Sequence, residues 1–254
     1  MKQSELRDFL NEKLIQYNGM EFIETDPVQI PHRFQSKEDR EIAGFLTATI
    51  SWGNRKSILT NAHKLMDLMD QSPYDFVMNH HKKDLTSLNS FVHRTFNGTD
   101  LQYFIKSLQN IYMNHRGLET LFASNLSKNS TQPAISAFKE IFFELSHPAR
   151  TTKHISDPLR GSAAKRINMW LRWNCRHDAM GVDLGIWKSI SPALLSCPLD
   201  VHSGNVARKL GLIKRKQNDA KALAELDASL RKLDPKDPVK YDFALFGLGV
   251  FEGF

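Results

Sequence analysis

The sequence predicts an all-α protein, and three observations carry that prediction. Strand patterns are nearly absent, apolar residues recur at helical spacing along almost the whole chain, and the breaks between stripes carry helix caps. Met1 to Tyr17 is charged throughout and reads as an amphipathic helix instead of a signal peptide. Ile42, Phe45, Leu46 and Ile50 form the next stripe, followed by Leu59, Ala62, Met66 and Met69. Leu101, Phe104, Ile105 and Leu108 come after those, then Ile135, Phe138, Phe142 and Leu145. Ile167, Trp170 and Leu171 follow, with Trp173 or Asn174, and then Leu223, Leu226, Leu230 and Leu233. The last stripe is Val239, Phe243, Phe246 and Val250. Each stripe is first of all a core-facing helix side.

The punctuation is specific. Asp219 is placed to cap a helix from Ala220, Asp237-Pro238 sets a cap before a first-turn proline, and Gly211 stops the helix ending near Leu210. Ser124 to Gln132 is polar and reads as a surface loop. The expected arrangement has a middle lobe near 40–160. A second lobe, at about 157–254, carries a hairpin and is completed by the N-terminal helix.

A hydrophobic content of 41% and a charged content of 24% over 254 residues are ordinary for a globular chain, so disorder is not expected. No apolar run approaches the roughly 20 residues that cross a bilayer. Two cysteines supply neither a disulfide framework nor a four-cysteine cluster site, and they read as reduced structural thiols of a cytoplasmic protein. The net charge of +6 says less than its distribution. Arg150, Lys153, Arg160, Lys165, Arg166, Arg172 and Arg176 share one stretch with a lone acid, Asp157. Arg208, Lys209, Lys214, Arg215 and Lys216 share another, with no acid between Val201 and Asn218. Two basic stretches flanking one segment fit a phosphate-backbone footprint, although a charge run is more often a solvated face.

Two segments carry residues suited to chemistry. In Asp157-Pro-Leu-Arg-Gly161-Ser-Ala-Ala-Lys165, Asp-Pro disfavours helix and Gly161 permits a tight turn, so a helix is expected from about Ser162. Unpaired N–H groups at such a start suit a phosphate oxygen. Lys165 falls in its first turn, on a face shared with Met169, Arg172 and Arg176. A helix N-terminus disfavours positive charge, and a neutral amine is the form that makes Schiff bases. A surface lysine is the plainer reading of the same residue. Asp200, between Leu199 and Val201, starts a helix running to Leu210. Its ordinary role there is an N-cap, and its functional role would be a carboxylate beside a reacting sugar.

Gly161-Ser-Ala-Ala-Lys165-Arg-Ile-Asn168 resembles the helix-hairpin-helix signature of the endonuclease III and 8-oxoguanine DNA glycosylase superfamily. Leu199-Asp200-Val-His202, followed by Val206, Arg208 and Leu210-Gly-Leu, is similar to that superfamily's second segment. Glu41 to Asn54 looks like its helix and DNA-inserting turn, and Phe96 to Gly117 like the helix joining that turn to the hairpin. The four matches run in the superfamily's order. Two features depart from it: Ala163 stands where a second hairpin glycine is usual, and the stretch from Lys165 to Asp200 is long. That length looks like the archaeal 8-oxoguanine glycosylase branch. The whole chain most resembles a bacterial family related to the superfamily.

The resemblance implies a two-lobed glycosylase-like fold and a monomer acting on double-stranded DNA with a damaged base or abasic site in the bacterial cytosol. It implies Lys165 as nucleophile and Asp200 as the catalytic carboxylate, with no metal or redox cofactor. Arg160, Gly161, Ser162, Ala163, Arg166 and Arg172 would grip the backbone, and Trp52 or Asn54 would fill the stack vacated by a flipped nucleotide. Asp242 and Phe246, one helical turn apart, match an acid and an aromatic that contact the base in the archaeal branch. An oxidised purine such as 8-oxoguanine is the substrate so implied, while a helix acid and a core phenylalanine are the plainer reading. Two rivals stand beside this one. A non-catalytic DNA- or RNA-binding module would use the same fold without turnover. A metal-dependent phosphohydrolase would use His177-Asp178 with some of His32, His63, His80, His81 and His202.

Overall fold

A computed structural model describes residues 2–254. Its elements, in order, begin with α1 (Gln3–Tyr17), α2 (Met20–Thr25), α3 (Gln29–His32), α4 (Lys37–Thr49), α5 (Arg55–Asp67), α6 (Pro73–Asn79) and α7 (Lys82–Ser87). A two-stranded antiparallel hairpin follows, β1 (Val92–His93) and β2 (Phe96–Asn97), with His93 opposite Phe96. The chain continues with α8 (Gly98–Asn114), α9 (Leu118–Ser124), α10 (Gln132–Phe142), α11 (Lys165–Cys175), α12 (Val201–Lys209), α13 (Ala220–Leu233) and α14 (Tyr241–Phe251). The protein is all-α in class, and among the described residues no helix is long and apolar enough to cross a membrane.

Local chemistry explains the ends of these helices. Asp219 accepts from the N–H groups of Lys221 and Ala222 at 3.1 Å and starts α13. After α12, Gly211 adopts φ 73°, its N–H reaches Arg208 O, and Leu212 N–H reaches Ala207 O at 2.8 Å. The paired bonds close the helix in the Schellman manner. Pro238 follows Asp237 as expected, but opens a 3-10 turn (Pro238–Lys240) before α14 begins.

Two apolar clusters organise the chain. The larger draws on residues between Val28 and Leu195, with Phe45, Phe104, Phe138, Phe142 and Trp170 at its centre, and adds Val239 and Phe243. The smaller joins Leu10 of α1 and Ala163 to apolar residues between Cys197 and Leu248. The two clusters part near residue 196, with α11 packed on α4 inside the larger one. Burying the Trp170 indole there, with its N–H on Glu41 O at 3.1 Å, fixes α11 against that body. Two stripes end differently from expectation. α10 stops at Phe142 and leaves Leu145 exposed, and Ile58 with Leu65 takes the buried face of α5 where Leu59 is half-buried.

Candidate active site

The segment ahead of α11 is built from short-range bonds. Asp157 accepts Leu159 N–H at 3.0 Å and the Ser136 hydroxyl at 2.7 Å, holding a 3-10 turn over Pro158–Arg160. Gly161 then takes φ 87°, a left-handed conformation that favours glycine, and its carbonyl accepts Ala220 N–H at 3.0 Å. Ser162 pairs with Asp219 in an isolated bridge, so this hairpin is stitched to the start of α13. Ala163 is buried in the smaller cluster, and Ala164, at φ 44°, precedes the first helical residue, Lys165. α11 thus begins three residues later than the sequence suggested. Between α10 and the hairpin the described residues form no α-helix, only 3-10 turns at Ala149–His154 and Pro158–Arg160. Asn168 locks the loop: its side chain donates to Ala163 O at 2.9 Å and accepts from Gln132 at 2.8 Å.

The second segment ends in a cap. One carboxylate oxygen of Asp200 accepts Ser203 N–H at 2.8 Å and the Ser203 hydroxyl at 3.0 Å, fixing the first turn of α12. Its other oxygen has no hydrogen-bond partner among the described residues. The plain reading of Asp200 as a cap therefore holds and leaves one oxygen for another task.

These segments meet at a cleft of about 710 Å³ between the two clusters, lined by both Lys165 and Asp200. Lys165 is half-buried and forms no ion pair among the described residues. Asp242 and Phe246, on α14, also line the cleft. Asp242 accepts from Arg172, and Cys197 Sγ lies 3.5 Å from its other oxygen. Burial pushes the Asp242 carboxyl up to about 6; Arg172 opposes the shift and Asp200 adds to it. Phe246 is half-buried, with the Arg55 guanidinium 5.3 Å from its ring centre, so the end of this stripe borders open space instead of core.

Other expected contacts stand differently. Arg172 is not a surface residue for phosphate: it is 3% exposed, bonded to Asp183 at 3.1 Å and to Asp242, with its guanidinium 4.3 Å from the Phe243 ring. An arginine so enclosed by two acids is a structural tie. Arg166 is likewise engaged, donating to Thr49 O and to His154 O at 3.2 Å and stacking on Trp52 at 4.8 Å. Burial lowers its guanidinium to about 10. Trp52 is a clamped wall of the cleft, packed edge-on to His93 and stacked on His154, and it does not project as a wedge. Asn54 is exposed, but its side chain caps α5 by accepting Ser57 N–H at 3.2 Å. Arg160 and Gly161 are exposed and Ser162 half-exposed, open to a ligand on the hairpin.

Sequence reasoning missed Asp26 and Arg55. Asp26 lines the cleft at 7% exposure, accepts Val28 N–H at 3.0 Å, and stands 4.0 Å from Arg55. Burial raises its carboxyl above the ordinary range, against the pull of Arg55, Arg172 and Lys165. The available signal was Asp26-Pro27, the same break that marks Asp157-Pro158. For the metal reading, Asp178 is bound to Arg176 and Asn18, each at 2.6 Å, and His32 to Val182 O. No three His, Cys, Asp or Glu side chains converge as a metal site among the described residues.

Fold and site together define an all-α protein whose cleft, between two apolar clusters, presents a lysine and several aspartates. The chain belongs to the family described as "Protein of unknown function (DUF2400)", which matches residues 26–251 and so takes in Asp26, Lys165, Asp200 and Phe246. No curated protein and no solved structure matches it.

Proposed function

We propose that this cleft is the centre of a DNA glycosylase with abasic-site lyase activity, on a helix-hairpin-helix DNA glycosylase-like fold. One observation carries the reading: Lys165 and Asp200, far apart in sequence, both line one cleft at the starts of α11 and α12. The glycosidic bond of a stacked nucleotide is out of reach, so the damaged nucleotide is flipped from the duplex into the cleft. A volume of about 710 Å³ is within the range of small-molecule pockets and suits a nucleoside. Lys165 Nζ attacks C1′ of the sugar, and the C1′–N bond breaks with its electron pair leaving on the base. Asp200, through the oxygen its cap leaves free, accepts the proton shed by the amine and stabilises positive charge on the sugar. Ring opening, with O4′ taking the proton held by Asp200, gives a Schiff base between Lys165 and C1′; Asp200 then takes a C2′ proton, the C2′–H electron pair forms the C2′=C3′ bond, and the C3′–O bond breaks with the 3′ phosphate leaving. Lys165 and Asp200 themselves supply the nucleophile, the proton acceptor and the electrostatic stabilisation.

The hairpin at Arg160, Gly161 and Ser162 grips a phosphate beside the site. Phe246, under the Arg55 guanidinium, offers a face for the base, and Asp242 a carboxyl that is partly protonated near neutrality. An oxidised purine such as 8-oxoguanine in double-stranded DNA is the substrate we favour, with the protein acting as a monomer in the cytoplasm. Ala163, in place of a glycine and packed into the smaller cluster, favours a second reading, a binding module without turnover. Borohydride trapping on duplexes carrying an abasic site or 8-oxoguanine separates the two. Lys165→Gln should keep DNA affinity and lose all covalent adduct; an undiminished adduct removes Lys165 from the mechanism. DNA bound by the native protein with no adduct on either duplex selects the binding module.

A further inference from the structure

The long stretch between Lys165 and Asp200 folds back on α11 and delivers one acid to it. Leu184 N–H donates to Trp173 O at 2.7 Å and the His32 ring bonds to Val182 O at 2.8 Å, which sets Asp183 against the helix. The Asp183 side chain is fully enclosed. One of its oxygens accepts Arg172 Nε at 3.1 Å and the other accepts Arg176 Nη1 at 3.0 Å. Arg172 also donates, through Nη1, to Asp242 in the cleft. Arg176 in turn holds Asp237 at 2.9 Å and Asp178 at 2.6 Å. The Phe243 ring centre lies 4.3 Å from the Arg172 guanidinium and 5.4 Å from that of Arg176.

Asp178, Asp183, Asp237 and Asp242 thus outnumber the guanidiniums they share. Surplus negative charge in an enclosed place is relieved by a proton on one of the carboxyls. Asp183 is poorly suited to hold it, because both its oxygens accept from arginines. Asp178 and Asp237 sit on Arg176, away from the cleft. Asp242 has a single guanidinium contact, with Cys197 Sγ 3.5 Å from its other oxygen. The remaining charges that act on Asp242 are Asp200 and Lys165, and Arg172 also feels Asp26. Burial pushes the Asp242 carboxyl up to about 6 against the pull of Arg172.

We propose that Asp183 is a positioning residue for the cleft: by taking Arg172 Nε it divides that guanidinium between two carboxyls, and so leaves Asp242 able to hold a proton and donate a hydrogen bond to an oxidised purine. The role rests on the reading of the cleft as a site for a flipped nucleotide. Asp183 itself touches no substrate.

The test follows the Asp242 carboxyl carbon by NMR through a pH titration of the native protein and of Asp183→Asn. Single-turnover release of 8-oxoguanine from a duplex and borohydride trapping on an abasic duplex are measured alongside. Native Asp242 should titrate near 6. In Asp183→Asn the Arg172 charge turns to Asp242 alone, and the midpoint should fall by about one pH unit. Release of 8-oxoguanine at pH 7 should then be roughly tenfold slower, because about a tenth as much Asp242 holds a proton. Trapping on the abasic duplex, which has no base to contact, should keep its native pH profile. Should Asp183→Asn fail to fold, Asp237→Asn, at a side chain 26% exposed, removes a competing acid from Arg176 and should lower the midpoint in the same direction by less. A midpoint unmoved in the folded variants overturns the role, and so does a native midpoint in the ordinary carboxylate range. A lowered midpoint with release unslowed also overturns it, as does a native protein that forms the abasic adduct but never releases 8-oxoguanine; both results leave the lyase reading standing. A native protein with neither adduct nor release removes the cleft reading and this role together.

Discussion

Replacing Arg172 by leucine removes the shared partner of two enclosed carboxylates, Asp183 and Asp242, whose side chains are 0% and 9% exposed. Asp183 keeps Arg176 at 3.0 Å, so the charge left uncompensated is that of Asp242, and losing one member of a buried ion pair costs about 3–5 kcal/mol. The leucine restores part of the packing against Phe243, and Asp242 relieves part of the cost by taking up a proton. A loss of about 4 kcal/mol at pH 7.5 is therefore expected, a large share of the roughly 5–15 kcal/mol that stabilises a typical domain. The loss should shrink at pH 5, below the value of about 6 to which burial pushes Asp242. Urea denaturation of both proteins at the two pH values reads these quantities directly. Were Arg172 a phosphate contact, stability would move by less than about 0.5 kcal/mol, and the salt dependence of DNA binding would weaken by about one charge. That pair of results would refute the burial argument.

Asp200→Asn should leave stability within about 0.5 kcal/mol, because asparagine caps as well as aspartate, yet abolish adduct formation. Equal losses of adduct and of melting temperature would make Asp200 a cap only. Glu41, 2% exposed, is raised from 4.5 to about 7, with burial outweighing its bonds from Tyr112 and Trp187. The folded protein thus retains a proton that the unfolded chain releases across that window, and this group's contribution to stability falls by about 3 kcal/mol as pH rises through it. His154, lowered to about 4 by burial, acts in the opposite sense between about 4 and 6.5, so the slope is read as native minus Glu41→Gln. A difference that is flat with pH contradicts the assignment. Gly247→Ala places a Cβ 2.1 Å from the Tyr17 ring and should cost about 1–3 kcal/mol, with faster amide exchange throughout α1. Unchanged exchange in α1 would mean that Tyr17 moves aside freely.

The helical class was legible because periodicity reports which side of a helix meets other atoms. The stripes Ile42 to Ile50, Leu101 to Leu108 and Leu223 to Leu233 are buried as their spacing requires. Periodicity is silent on what those atoms are, which is why Phe246 and Val250 continue the stripe of Val239 and Phe243 yet border the cleft. The caps at Asp200 and Asp219 were legible because their partners lie within three residues. Arg172 was misjudged for the converse reason: its acids sit 11 and 70 positions away, and a basic run shows charge without showing what neutralises it. Asp26 was passed over because an Asp-Pro break is ordinary loop chemistry. Its place in the cleft follows from packing of the α2–α3 region against the larger cluster, a long-range event. The start of α11 slipped by three residues because Ser162 spends its bonds on Asp219 and on Ala164 N–H, extending the hairpin at the helix's expense.

The most direct measurement is peptide mapping by mass spectrometry of the native protein reduced with borohydride in the presence of an abasic-site duplex. A single modified peptide is expected, with the reduced sugar fragment on Lys165. Modification confined to another lysine, or no modified peptide from a protein that binds the duplex, would contradict it.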